Sequence, residues 1–166
     1  MDDTFAADDI AAFKQAFRRH AAGVAIVTAR DLEGRPVGFT ATSLASLAAV
    51  PPLASFNMAR IASAWNAIES TDYVAIHMLG ARSRNLAQKL AGPAEQRFLG
   101  DHWREGPHGL PILDGATAWM VGRIVERVSV ANNAVIVVQV EEGALGEDDA
   151  PLLYHERAYH APRPLD

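Results

Sequence analysis

An antiparallel barrel or sandwich with peripheral short helices is the fold that the sequence predicts, and three observations predict it. Short runs rich in β-branched residues recur along the chain, separated by turns built on Gly, Pro, Asn and Asp. Helical spacing of apolar residues is confined to a few short segments, and strand and helix do not alternate regularly, which argues against a doubly wound parallel sheet. Two long apolar stretches, residues 116–130 and 134–142, flank Ala131-Asn132-Asn133 and read as antiparallel neighbours.

The elements follow in order. Asp8 or Asp9 is read as the cap of a helix whose apolar positions Ile10, Phe13 and Phe17 follow the three-to-four spacing, with Arg18, Arg19 and His20 at its carboxyl end and Gly23 as its stop. Residues 24–29 form a strand, 31–36 a turn, and 37–42 the returning arm of a hairpin. Pro51-Pro52 introduces a third strand over 53–57. Ser63 is read as the cap of a short helix carrying Trp65 and Ile68 that ends near Thr71, before a buried strand over 73–79 that contains His77. Ser83 is read as the cap of a helix carrying Leu86 and Leu90, which Gly92-Pro93 terminates. Residues 99–110, with four Gly or Pro positions, read as a loop holding His102, Trp103 and His108. An acidic turn over 143–149 precedes a last strand pair, 152–155 and 158–160.

Composition narrows the function classes. The chain has 166 residues, enough for one domain with a real core, and the reading takes 1–166 as a single domain with its core at about 13–160. A net charge of −5 argues against a nucleic-acid surface or an anionic membrane surface. The absence of cysteine excludes disulfides, thiolate metal sites, iron–sulfur clusters and cysteine nucleophiles. No His-x-His or Glu-x-x-His spacing points to a metal. The acidic start lacks the order of a signal peptide, and no run approaches the roughly 18 apolar residues of a membrane span. A cytoplasmic protein is expected.

The most informative motif is Gly38-Phe39-Thr40-Ala41-Thr42-Ser43, followed by Pro51-Pro52-Leu53. Small side chains let a ligand lie against the backbone, and the hydroxyls add donors and acceptors without formal charge. With the preceding Phe-based helix and Gly23-Val24-Ala25-Ile26-Val27-Thr28, this order resembles the flavin reductase-like FMN-binding family, which contains the reductase components of two-component flavin monooxygenases. Ser63 and Trp65, the strand Val74-Ala75-Ile76-His77-Met78-Leu79, the helix Asn85-Leu86-Ala87 and Pro151-Leu152-Leu153-Tyr154-His155 continue the resemblance.

The resemblance implies a split β-barrel of Greek-key type, a homodimer, and a flavin, FMN or FAD, in a groove near the subunit interface. It implies NADH or NADPH as electron donor and a transient partner oxygenase that receives the reduced flavin. Carried onto this chain, it assigns flavin contacts to Thr40, Ala41, Thr42, Ser43, Ser55, Phe56, Asn57, Ala62 and Ser63. Arg82, Ser83 and Arg84 are candidates for the flavin phosphate, and Asn133, Tyr154 and His155 for the border of the nicotinamide. One departure stands out: similar reductases often carry Gly-Asp-His where this chain has Ala131-Asn132-Asn133. A carboxamide hydrogen-bonds but does not titrate near neutrality as imidazole does. Two readings follow: an NAD(P)H-dependent flavin reductase, or a flavin-binding carrier, sensor or complex subunit with little or no reductase turnover.

Overall fold

The computed structural model of the chain describes residues 7–166, so the acidic first residues read above for targeting lie outside it. A helix, α1 (Ala7–Arg19), is followed by strands β1 (Ala22–Gly23), β2 (Ala25–Arg30), β3 (Pro36–Ala41), β4 (Ala45–Ala48) and β5 (Leu53–Ala59). Helix α2 (Trp65–Ser70), strand β6 (Tyr73–Met78) and helix α3 (Arg84–Ala91) come next. Then come β7 (Trp103–Glu105), β8 (Pro111–Leu113), β9 (Ala118–Val130), β10 (Asn133–Leu145), β11 (Leu153–His155) and β12 (Ala158–His160).

Seven strands form one antiparallel sheet in the order β3-β2-β6-β9-β10-β5-β4, and β1-β11-β12 and β7-β8 form two small sheets beside it. The fold is mainly β, a split barrel with the edge strands β3 and β4 left unjoined. The flanks meet at Ser43, just past β3. Its Oγ accepts from the Asn57 backbone N–H at 2.9 Å and donates to the Asn57 carbonyl at 3.3 Å.

The central strands are buried on both faces, which explains why β2 and β6 read as unbroken apolar runs. Val27, Val74, Ile76, Phe56, Ile136 and Val138 fill the barrel interior. The opposite face of β2 and β6 is covered by α3 and the β7–β8 hairpin, through Ile26, Leu79, Leu90 and Leu113 in one cluster and Ala75, Leu110 and Ile112 in another. Two polar side chains on that face are fully satisfied. The Thr28 hydroxyl donates to the Pro111 carbonyl at 2.6 Å. His77 Nε2 accepts from the Leu113 N–H at 3.0 Å, which leaves Nδ1–H to donate to the Ile26 carbonyl at 3.1 Å.

Several local expectations are corrected. Asp8 and Asp9 lie inside α1 rather than at its cap. Gly23 does not stop the helix; it pairs with Leu153 as part of β1. Ser63 is not a cap: Ala64 holds that position, and the Ser63 hydroxyl faces Arg97 instead. Ser83 holds the cap position of α3, but its hydroxyl donates to the Gly115 carbonyl at 2.8 Å and caps nothing. The segment read as a loop over 99–110 contains β7, which pairs with β8. Strand β4 fills the interval before Pro51-Pro52 that the reading left unassigned, pairing with β5. Strand β10 runs on to Leu145, past the expected turn at 143, because register shifts after Val137 and Val140 absorb its twist against β9. Gly143 makes this possible, since a Cβ there would collide with the Trp119 carbonyl oxygen.

Candidate functional site

A groove of about 520 Å³ opens where the barrel splits. Its floor and one wall come from the end of β3 and the link beyond it, Phe39, Thr40, Ala41, Thr42 and Ser43. The opposite wall comes from the end of β5, Asn57, Met58 and Ala59, and from Asn133 at the start of β10, which pairs with Ala59. One end is closed by Ala62, Ser63, Ala64 and Arg97. Among the described residues, no carboxylate lines the groove, and Arg97 is the one cation on its wall.

The structure brings together Thr40, Ala41, Thr42, Ser43, Asn57, Ala62, Ser63 and Asn133, all singled out from the sequence. Their hydroxyls do different jobs. The Thr40 hydroxyl donates to the Ala87 carbonyl at 2.7 Å, tying β3 to α3. Ser43 is spent on Asn57, closing the barrel flank. The Thr42 hydroxyl has no hydrogen-bond partner among the described residues. The Ser63 hydroxyl accepts one long contact from Arg97 Nη1 at 3.4 Å. Thr42, Ser63 and the carboxamides of Asn57 and Asn133 are therefore the polar side chains presented to a ligand.

Arg97 was missed by the sequence reading. It reaches the groove because a 3₁₀ turn, Ala94–Gln96, follows Gly92-Pro93 and carries the chain back toward β3. Its Nε donates to the Gly92 carbonyl at 2.9 Å and its Nη1 to the Gly38 carbonyl at 2.9 Å. His102 Nε2 lies 2.8 Å from the Arg97 carbonyl oxygen. The guanidinium is thus pre-positioned, with Nη2 making no hydrogen bond to the described residues. Partial burial lowers its pKa from the usual arginine value, with Glu95 pulling the other way, and the group stays charged at neutral pH. Gly38 has no room for a side chain, since a Cβ would lie 2.9 Å from the Phe98 ring and 3.1 Å from the Val27 carbonyl oxygen. No local pattern marks Arg97: the Gly92 carbonyl is near in the chain, but the Gly38 carbonyl and the Ser63 hydroxyl that bring its guanidinium to the groove belong to distant segments.

Other residues singled out from the sequence lie elsewhere. Phe56 is fully buried in the barrel interior, with its ring 5.9 Å from that of Phe39, so it backs the groove wall without touching a ligand. Ser55 pairs with Ala45 and Val137 in the sheet and is not part of the groove lining. Arg82 and Ser83 border a different depression, where Arg82 is held by the Asp148 carbonyl at 2.6 Å and by the Asp149 carboxylate at 3.5 Å. The Asp149 carboxyl is in turn held below its usual pKa, chiefly by the Arg82 backbone N–H. Arg84 is exposed at the start of α3. Tyr154 and His155 line a third groove, together with α1, and that groove shares no residue with the first.

The groove fits a flat, acceptor-rich heterocycle with an anionic tail. Backbone and small side chains offer close approach, neutral amides and a hydroxyl offer hydrogen bonds, and a single fixed cation stands at one end. A flavin mononucleotide or dinucleotide has this make-up. The family comparison agrees: residues 17–163 match the flavin reductase like domain. This chain belongs to that family. It is 40% identical over 158 residues to an NADH:FMN oxidoreductase of Rhodococcus qingshengii, covering 92% of this chain and 82% of that protein. It is 30% identical over 153 residues to a 4-hydroxyphenylacetate 3-monooxygenase reductase component of Pseudomonas aeruginosa, covering 90% and 89%. A crystal structure of a flavin reductase domain protein from Arthrobacter sp. FB24 superposes with a TM-score of 0.91 at 53% identity, covering 95% of this chain and 98% of that one.

Proposed function

We propose that the protein is an NAD(P)H:flavin oxidoreductase that supplies reduced FMN or FAD to a partner monooxygenase, working as a cytoplasmic homodimer of one flavin reductase like domain per chain. The observation that carries this reading is the groove itself, which among the described residues has one fixed guanidinium at its end, neutral amides and a hydroxyl along its walls, and no carboxylate. A bound flavin supplies the acceptor for a hydride from the nicotinamide, so the protein's task is placement rather than acid–base chemistry.

Each residue then has a defined job. Backbone groups of Thr40 to Ser43 and the Thr42 hydroxyl meet the polar edge of the ring. Phe39, braced by buried Phe56, supports an apolar wall. Ser63 and Arg97 take the phosphate, and the Asn57 carboxamide faces the ribityl side. Asn133 borders the nicotinamide, hydrogen-bonding through its carboxamide without moving a proton. Tyr154 and His155 line a separate groove of the same chain, so a nicotinamide site bordered by all three needs a second copy. The NADH:FMN oxidoreductase and the monooxygenase reductase component among the relatives support the reaction and the downstream oxygenase.

Asn133 favours a second reading, a flavin carrier or sensor with little turnover, since it stands in the groove where similar reductases often place histidine. One experiment treats both. Steady-state NADH and NADPH oxidation is measured with added riboflavin, FMN or FAD, for the natural chain and for Asn133→His. Rates well above the uncatalysed control in the natural chain establish the reductase. Rates at the control level, with flavin retained through purification and turnover restored by Asn133→His, establish the carrier.

A further inference from the structure

We propose that a second groove, entered across Ser63, receives the adenosine half of FAD, so that the site selects the flavin dinucleotide over the mononucleotide. This rests on the flavin reading of the first groove. Ser63 lines both depressions, and the second, about 570 Å³, continues from the phosphate end of the first between the β2–β3 hairpin and the outer face of α2. A dinucleotide held with its isoalloxazine between β3 and β5 and a phosphate on Arg97 and Ser63 must send its remaining half out past Ser63. The second groove lies on that path.

The chemistry of the groove matches neutral adenosine and not an anion. Its one cation among the described residues, Arg35, is already held by Asp31 at 2.8 Å and by Glu33 at 3.3 Å. Glu69 adds a further carboxylate on the α2 wall, next to the exposed carboxamide of Asn66. Both phosphates therefore stay with Arg97, and the groove presents acceptors to the ribose hydroxyls and to the adenine amine. Leu32, 84% exposed at the hairpin tip, offers an aliphatic surface to a purine face.

Flavin fluorescence titrations of the full chain with riboflavin, FMN and FAD test this, using the natural protein, Asn66→Trp and Glu69→Trp. Both side chains are exposed on α2, and matching melting curves establish that the variants fold. The expected result is FAD binding at least about fivefold tighter than FMN in the natural chain, with that preference lost in both variants while FMN and riboflavin change by less than about twofold. Equal affinity for FMN and FAD in the natural chain, or a FAD preference untouched by both tryptophans, overturns the proposal and leaves the flavin groove standing. Failure of the natural chain to bind riboflavin, FMN or FAD overturns both.

Discussion

At the scale of single residues, the groove is built by dividing polar groups between structure and ligand. Thr40 and Ser43 look interchangeable with Thr42 in the sequence, yet their hydroxyls are consumed in joining β3 to α3 and to β5. The hydroxyl pattern was legible; the division of labour was not, because it depends on strands and helices distant in the chain. Arg97 shows the same limit more sharply. It is the cation of the groove, but its aim is set by the carbonyls of Gly38 and Gly92. Replacing Arg97 by Met removes a charge-assisted contact of about 1.5–3 kcal/mol, so FMN affinity should fall roughly 10- to 150-fold. Riboflavin, which lacks the phosphate, should bind almost unchanged. Equal losses for riboflavin and FMN would show instead that Arg97 only props up the groove wall.

At the scale of elements, the hairpin β7–β8 is locked onto the barrel through His77, whose two ring nitrogens join β2 to β8 from within β6. Burial, aided by Arg104 and opposed by the hydrogen bond to Ile26, pushes its pKa down to about 4. The folded value lies below the unfolded value of about 6.5, so the neutral ring is the form that folding favours. Its contribution is fully present above pH 6.5 and is lost as pH falls from there to about 4, amounting to about 3 kcal/mol. Urea midpoints measured across that window should drop for the natural chain and stay flatter for His77→Gln, whose amide donates and accepts but does not titrate. Parallel pH profiles for the two would remove His77 from the account. The sequence placed His77 in a buried strand, facing either a core or an interface, but β7 was hidden in a stretch rich in Gly and Pro. Only pairing with β8 makes that stretch a strand.

At the scale of the whole molecule, α1 touches the rest of the described chain near its carboxyl end, where the Arg18 carbonyl accepts from the Glu156 N–H at 3.1 Å, and leaves its apolar face uncovered by the described residues. Every residue from Asp9 to Ala21 is exposed, including Phe13 at 64% and Phe17 at 62%, whose rings lie 4.9 Å apart and tilted by 44°. A 13-residue helix is marginal alone in water, and its apolar face calls for a covering surface. A second copy of the chain is the cover that the homodimer reading supplies. Light scattering should therefore give a dimer, and Phe13→Asp with Phe17→Asp should shift it toward monomer and lower flavin turnover. A monomeric natural chain would refute this. The mainly antiparallel fold and the hydroxyl-lined end of β3 were determined by the sequence alone, because turn residues, β-branched runs and small side chains act locally; the order of the strands in the sheet, and β1, β4 and β7 themselves, were not. The tertiary structure alone decided which hydroxyls stay free, that Arg97 serves as the cation of the groove, and that Tyr154 and His155 stand apart from Asn133. Those facts depend on contacts between residues far apart in the chain, which no local pattern encodes.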